Sequence, residues 1–255
     1  MNANKGRVWL IVSIALIVAG ISLMLVSGIR NGEALEQNLY EHGAIVRAEE
    51  KTYTITEPFR SVTVSDASAD VKICPSDDGT CRVVCGESDT RSYHVRVEDG
   101  VLKVLLQEDK GTSSFILHYE TPPVRVYLPE AQYKTLQVET SSGSIDVQSG
   151  PSWDQAKLKS TSGEIRVQDT ETGDLELSSS SGDVYLFQLR TNGVRIDTVS
   201  GEVELYACNR GDLSVTSSSG DQRLSELQAG KTQLQAVSGE IRLSAATLRE
   251  LRIET

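Results

Sequence analysis

Aromatic residues are scarce in this chain: Phe, Trp and Tyr together make up 5% of its 255 residues. It has three histidines, His42, His94 and His118, all of which precede the region where a repeat sets in. No G-x-S-x-G elbow, H-E-x-x-H stretch or Ser-His-Asp grouping occurs, so the usual signs of acyl transfer and zinc hydrolysis are missing. The formal charge is −11. Nothing supplies a basic stripe to displace counterions from a phosphate backbone, which argues against nucleic acid as a partner. Of the four cysteines, Cys74, Cys81 and Cys85 are spaced C-x6-C-x3-C with no nearby histidine, a poor zinc pattern. These absences point to no catalytic residue, no cofactor and no metal site.

The N-terminus carries the first positive signal. Val8 to Gly28, "VWLIVSIALIVAGISLMLVSG", is 21 residues without a charge, long enough to cross ~30 Å of hydrocarbon as a helix. Lys5 and Arg7 precede it, and Arg30 follows before Glu33, Glu36 and Glu41 take over. The Lys/Arg bias places residues 1–7 in the cytoplasm and the rest outside, as a single pass of the cell membrane. A cleaved signal peptide is the competing reading. Its apolar region would be only ~7–15 residues, ending in a small-x-small site that is not evident here. Residues 29–50 read as a polar spacer, partly helical.

From Lys51 the periodicity is two, in runs such as "RSVTV", "ADVKI", "CRVVC", "YHVRV" and "VRVYL". Pro58, Pro75, Pro122, Pro123 and Pro129 fall between such runs. The part beyond the membrane therefore reads as all-β.

A repeat organises its second half. Ser-Gly triplets place glycines at Gly143, Gly163, Gly182, Gly201, Gly220 and Gly239, spaced 20, 19, 19, 19 and 19. Seven residues before them stand Leu136, Ala156, Leu175, Val194, Leu213 and Thr232, and five before them Val138, Leu158, Leu177, Ile196, Val215 and Leu234. Two after come Ile145, Ile165, Val184, Val203, Gln222 and Ile241, and four after Val147, Val167, Leu186, Leu205, Leu224 and Leu243. Each unit reads as strand, corner, strand, connector, with one set of side chains inward. One unit cannot bury its apolar face alone, so units must stack. The spacing predicts a β-solenoid of 19-residue coils over 131–255, six coils making a rod ~29 Å long.

"VTVSDASADVKI" (Val62 to Ile73) fits the same template with Ala69 in the glycine's place. Segment 51–130 therefore reads as an irregular β extension or cap of the solenoid. "LRIET" from Leu251 matches the first strand of a further unit, leaving a strand edge that is either covered or open to self-association.

Those features resemble the bacterial membrane-anchored proteins described as "putative adhesins", a domain family of unknown function with Ser-Gly-Asp/Glu-aliphatic repeats. The resemblance spans the chain: the N-terminal span with its "GI...G" ending, "ADVKI", "VRVYLPE" and the "TSSGSIDV" onset of the repeats. It implies a solenoid at the cell envelope and transfers no catalytic residues. "CPSDDGTCRVVC" departs from the pattern, where a cysteine-free hairpin is expected.

The acids after the glycines, Glu164, Asp183, Glu202, Asp221 and Glu240, should align as a column. Like charges ~5 Å apart repel unless screened, paired or bridged by a cation. A calcium ladder is one reading; local pairing with Arg166, Arg223 and Arg242 on the same face is the simpler one. The serines before the glycines (Ser142, Ser162, Ser181, Ser200, Ser219, Ser238) read as turn residues, with glycine supplying positive φ and the serine hydroxyl satisfying turn amides. Tyr185, Phe187 and Tyr206 are taken as the aromatics of the regular coils, Phe187 stacking on Tyr206; ordinary packing is the simpler reading, and a contact to a small sugar or peptide is the alternative. Cys208 shares a column with Leu189, Leu227 and Ala246 and reads as an apolar filler. Cys74 and Cys81 flank "PSDDGT" and can face each other across a hairpin as a disulfide, with Cys85 as the rival partner.

Three function classes follow. The first is a non-enzymatic binding or adhesive module that recognises a wall polymer or an envelope protein. The second is an envelope-stress or signalling accessory coupled to a membrane partner. The third is a glycan-active enzyme, which would need paired carboxylates and aromatic platforms on one face.

Overall fold

A computed structural model describes residues 45–46, 48–88, 91–108, 118–119, 122–208 and 211–255. The expected span Val8–Gly28 lies outside the described residues, and among those described no helix is long and apolar enough to cross a membrane. Every described regular element is a strand. The first nine are β1 Ile45–Val46, β2 Glu49–Ile55, β3 Ser61–Ser65, β4 Val71–Pro75, β5 Cys81–Glu87, β6 Arg91–Glu98, β7 Val101–Glu108, β8 His118–Tyr119 and β9 Val124–Leu128. The repeats follow as β10 Gln132–Thr140, β11 Ile145–Val147, β12 Ser152–Ser160, β13 Ile165–Gln168, β14 Glu171–Ser179, β15 Val184–Phe187 and β16 Arg190–Ser200. The last are β17 Val203–Tyr206, β18 Asp212–Ser219, β19 Gln222–Ser225, β20 Gln228–Ser238, β21 Ile241–Ser244 and β22 Thr247–Glu254.

The chain divides into two units, residues 1–47 with 113–120 and residues 48–112 with 121–255. In the first, β1 pairs in parallel with β8, so a strand lies inside the expected spacer. The second is a β-solenoid of two ten-stranded sheets. One runs β22-β20-β18-β16-β14-β12-β10-β3-β7-β6, the other β2-β5-β9-β4-β11-β13-β15-β17-β19-β21. Their inner faces fill one hydrophobic core.

The register follows the 19-residue spacing. Leu136 pairs with Ala156, Ala156 with Leu175, Leu175 with Val194, Val194 with Leu213 and Leu213 with Thr232. On the other sheet Ile145, Ile165, Val184, Val203, Gln222 and Ile241 pair in series. The aliphatic members of these columns up to Val203 are buried, and a fully buried Ile or Val contributes about 1.5–3 kcal/mol. Gln222 is buried too; its amide nitrogen donates to the Gln235 carbonyl at 2.7 Å while its oxygen Oε1 has no partner. Leu251 pairs with Thr232, so the last strand keeps register.

Two aromatics beyond the expected three belong to the repeats. Tyr133 and Trp153 point inward ten residues before their glycines and stack at 5.0 Å, with Phe59 on Tyr133 at 5.8 Å.

Space and chain order differ before β10. Strand β3 pairs in parallel with both β10 and β7, and β4 with both β11 and β9. The β7/β9 coil therefore sits outside the earlier β3/β4 coil, and β10 adds on the opposite side. Antiparallel strands close that end: β6 on β7, β5 on β9 and β2 on β5.

This order overturns the hairpin expected at the cysteines. Strand β9 lies between β4 and β5, which separates Cys74 from Cys81, and all four cysteines are free thiols. Cys81 and Cys85 lie on one inward face of β5, four residues and ~13 Å apart. Burial pushes their thiols up to about 12 and that of Cys208 up to about 11. Cys208 is buried beside Leu189 and Leu227 in the core, as the column predicts.

Candidate binding faces

The Ser-Gly-acid corner is built differently from its sequence reading. The serines before the glycines are exposed. The hydroxyls that close the corner lie three before the glycine: Thr140, Ser160, Ser179, Thr198 and Ser217, all buried. Gly163 N donates to Ser160 Oγ and Gly182 N to Ser179 Oγ, each at 2.9 Å. Ser160 Oγ in turn donates to the Gly143 carbonyl at 3.1 Å, linking successive coils. Sequence reasoning missed this column, although its unbroken Ser/Thr content over five coils was a usable signal.

The glycines have two causes. Gly201, Gly220 and Gly239 have φ of 121°, 120° and 124°, as expected. Gly143, Gly163 and Gly182 do not have positive φ. They are glycine because a Cβ would overlap the carbonyl of the preceding coil, Ala69, Gly143 and Gly163 in turn. A left-handed column does exist at the second corner, held by Asp169, Gln188, Ala207, Glu226 and Ala245 at φ of 48–54°. None is a glycine, so composition gave no cue.

The acid column is occupied by protein partners. Arg166 binds Glu164 at 2.6 Å, Arg242 binds Glu240 at 2.6 Å, and Arg223 bridges Glu202 and Asp221. The local pairing expected for the three arginines therefore holds. The aspartates also cap the next coil: Asp183 Oδ1 accepts from Glu202 N at 2.7 Å and Asp221 Oδ1 from Glu240 N at 3.0 Å. Among the described residues no group of three or more His, Cys, Asp or Glu is placed to hold a metal ion.

On the outer face of the β11–β21 sheet, Phe187 does not stack on Tyr206 although the two are register partners. Its ring lies parallel to that of Tyr185, with centroids 6.3 Å apart and an interplanar angle of 7°. Arg166 covers Tyr185 at 5.3 Å. Tyr206 is 38% exposed, and a hydrogen bond to Glu226 holds its hydroxyl above the usual tyrosine range.

The outer face of the other sheet carries a groove of about 700 Å³ running across the coils. It forms where two successive residues face outward, as Asp154 and Gln155 do in β12, so that each strand bends. Ala156, Leu175, Val194 and Leu213 form its floor, and Lys157, Asp174, Glu176, Arg195, Asp212 and Lys231 its sides. Lys157 pairs with Glu176 at 3.0 Å, and Asp212 Oδ1 accepts from Lys231 N at 2.8 Å. Charges of both signs thus alternate from coil to coil, through the register partners Lys157, Glu176 and Arg195. No sequence signal marked the groove, because the bend shows only in the exposure of neighbouring strands.

The family model described as Toastrack DUF4097 matches residues 59–255. The chain belongs to this family. The match covers the repeats and most of the segment before them, so the β3/β4 coil and the antiparallel strands β5 and β6 fall within the Toastrack domain, while β2 lies before it. A comparison with curated proteins finds no match. Among solved structures, the Toastrack chain is similar to a "putative adhesin" from Bacteroides fragilis at 16% identity, with 81% of this chain and 97% of that one covered and a TM-score of 0.40. It is similar to a "putative cell adhesion protein" from Clostridium sporogenes at 9% identity, 81% and 99% coverage and a TM-score of 0.40. A third is a "putative lipid binding protein" from Parabacteroides distasonis, at 17% identity, 83% and 98% coverage and a TM-score of 0.36.

Proposed function

We propose that this Toastrack chain is a membrane-anchored, extracytoplasmic binding module without enzymatic activity, whose outer faces hold a wall polymer or an envelope protein. The groove on the β10–β22 sheet carries the reading. It offers donors, acceptors and both charges from six successive coils, set on strands whose inner faces are locked in the core. Binding surfaces on rigid elements lose little entropy on association.

Two observations support a non-catalytic role. His94 lies on β6, which β7 and β3 separate from β10, and the corner serines of the later coils stand further still along the stack. The corner carboxylates are engaged by arginines and backbone amides, which leaves them poorly suited to paired acid–base work. The uncharged stretch Val8–Gly28 would provide the anchor, with the solenoid outside.

The full-length protein in detergent micelles, mixed with purified cell-wall material, provides the test. Sedimentation with the wall, weakened by Lys157→Glu together with Lys231→Glu, is the expected result. Turnover of a polysaccharide by the protein, lost on an Asp or Glu substitution, would overturn the reading.

A further inference from the structure

Outward positions on the β11–β21 sheet follow a rule that two coils break. Three and five residues after the corner glycine stand Asp146 and Gln148, Arg166 and Gln168, Arg223 and Ser225, and Arg242 and Ser244, all polar. In the two middle coils the same positions hold Tyr185 and Phe187, then Glu204 and Tyr206. Three rings are thus gathered on adjacent strands of a chain in which aromatics are scarce.

Core packing does not account for them. Strand alternation turns these positions to water, and the layer beneath is filled by Val184, Leu186, Val203 and Leu205, all fully buried. Phe187 has no polar atom to justify its place at the surface, and Tyr206 remains 38% exposed. The rings satisfy one another only in part: Phe187 stacks beside Tyr185, and Tyr206 stands outside that pair.

We propose that Phe187 and Tyr206, with Tyr185 beside them, form a platform for a neutral sugar ring. This rests on the reading of the chain as a binding module and gives that module a second site, on the opposite face from the groove. A pyranose has an apolar face of C–H groups and a rim of hydroxyls. The rings match the face, and Gln168, Glu204 and Ser225, at neighbouring positions on the same outer surface, offer donors and acceptors to the rim. The flanking arginines are paired with Glu164 and Glu202, and Glu204 inside the patch keeps a negative charge with no ion-pair partner among the described residues, so the patch disfavours an acidic sugar. Its size also selects the ligand. Three side chains on two strands match one or two sugar units, whereas a stable protein interface covers ~800 Å² per partner.

Titration of the full-length protein with soluble tetramers of N-acetylglucosamine and of glucose tests the proposal, by saturation-transfer NMR and calorimetry in a detergent without a sugar headgroup. One of the two tetramers should bind. Phe187→Ser and Tyr206→Ala should each weaken it about tenfold, the scale of one aromatic contact, with the thermal midpoint unchanged. Tyr206→Phe should retain binding, and Lys157→Ala in the groove should leave it unaltered. Failure of both tetramers to bind at millimolar concentration overturns the platform, as does binding that survives both ring substitutions. If the tetramers fail while groove-dependent wall sedimentation persists, the platform falls and the binding-module reading stands.

Discussion

Asp66 occupies the place that a serine or threonine hydroxyl fills in the other coils, three residues before Ala69. Its Oδ1 accepts from Ala69 N and Ser68 N, both at 2.7 Å. Unlike a hydroxyl it brings a buried charge, which Arg91 meets at 2.6 Å and the Tyr93 hydroxyl at 2.5 Å. Burial pushes the Asp66 carboxyl up, but Tyr93, the two amides and Arg91 together hold it below the usual carboxylate range. A carboxyl lowered in the folded state stabilises the fold above its unfolded pKa. Its contribution is complete at neutral pH and is lost as the pH falls below ~4. Arg91→Met leaves that charge unpaired and should cost about 3–5 kcal/mol in urea unfolding at pH 7. The difference between variant and parent should shrink as the pH is lowered through the carboxylate range. At the corners, Gly182→Ala should cost about 2 kcal/mol or more, because its Cβ would overlap the Gly163 carbonyl although φ there is not positive. Glu202→Gln should change stability by less than about 1 kcal/mol, as expected for a partly exposed ion pair.

At the scale of elements, the first strand, corner and second strand of each coil were legible because a residue's column repeats every 19 positions and inward side chains must match their neighbours. The hidden copy at "ASADV" was found by the same rule. The second corner was not legible, since Asp169, Gln188, Ala207, Glu226 and Ala245 share a conformation but no side-chain chemistry. Ala207→Gly should therefore stabilise by up to about 1 kcal/mol by relieving the left-handed strain, measured by denaturant midpoint at constant slope. The cysteine pairing was misread for a related reason. Adjacent runs in sequence suggested a hairpin, and nothing local announces that β9, some 40 residues later, inserts between them. Gln222 breaks the apolar column with an unpartnered buried oxygen. Gln222→Val should raise stability by about 1 kcal/mol; a loss of that size would show that the bond to Gln235 outweighs the unmet acceptor.

Across the whole solenoid, the two ends differ. Antiparallel strands cover the β7/β9 coil, whereas Leu251 and Ile253 in β22 are 44% and 46% exposed in columns buried elsewhere. Leu251→Lys combined with Ile253→Lys should lower any self-association of the full-length protein in light scattering. Between the ends, the repeated coils present two unlike faces, one grooved and charged, one flat with paired arginines and three rings. The central claim is that function resides on these faces and not in the Ser-Gly-acid corners that hold them up. Photo-crosslinking in living cells tests it most directly, with a photoreactive residue placed at Lys157, at Tyr206 or at the corner residue Ser162. Capture of envelope components from the first two positions and not from Ser162 is the predicted result. Capture from Ser162 alone would contradict it and return function to the corners.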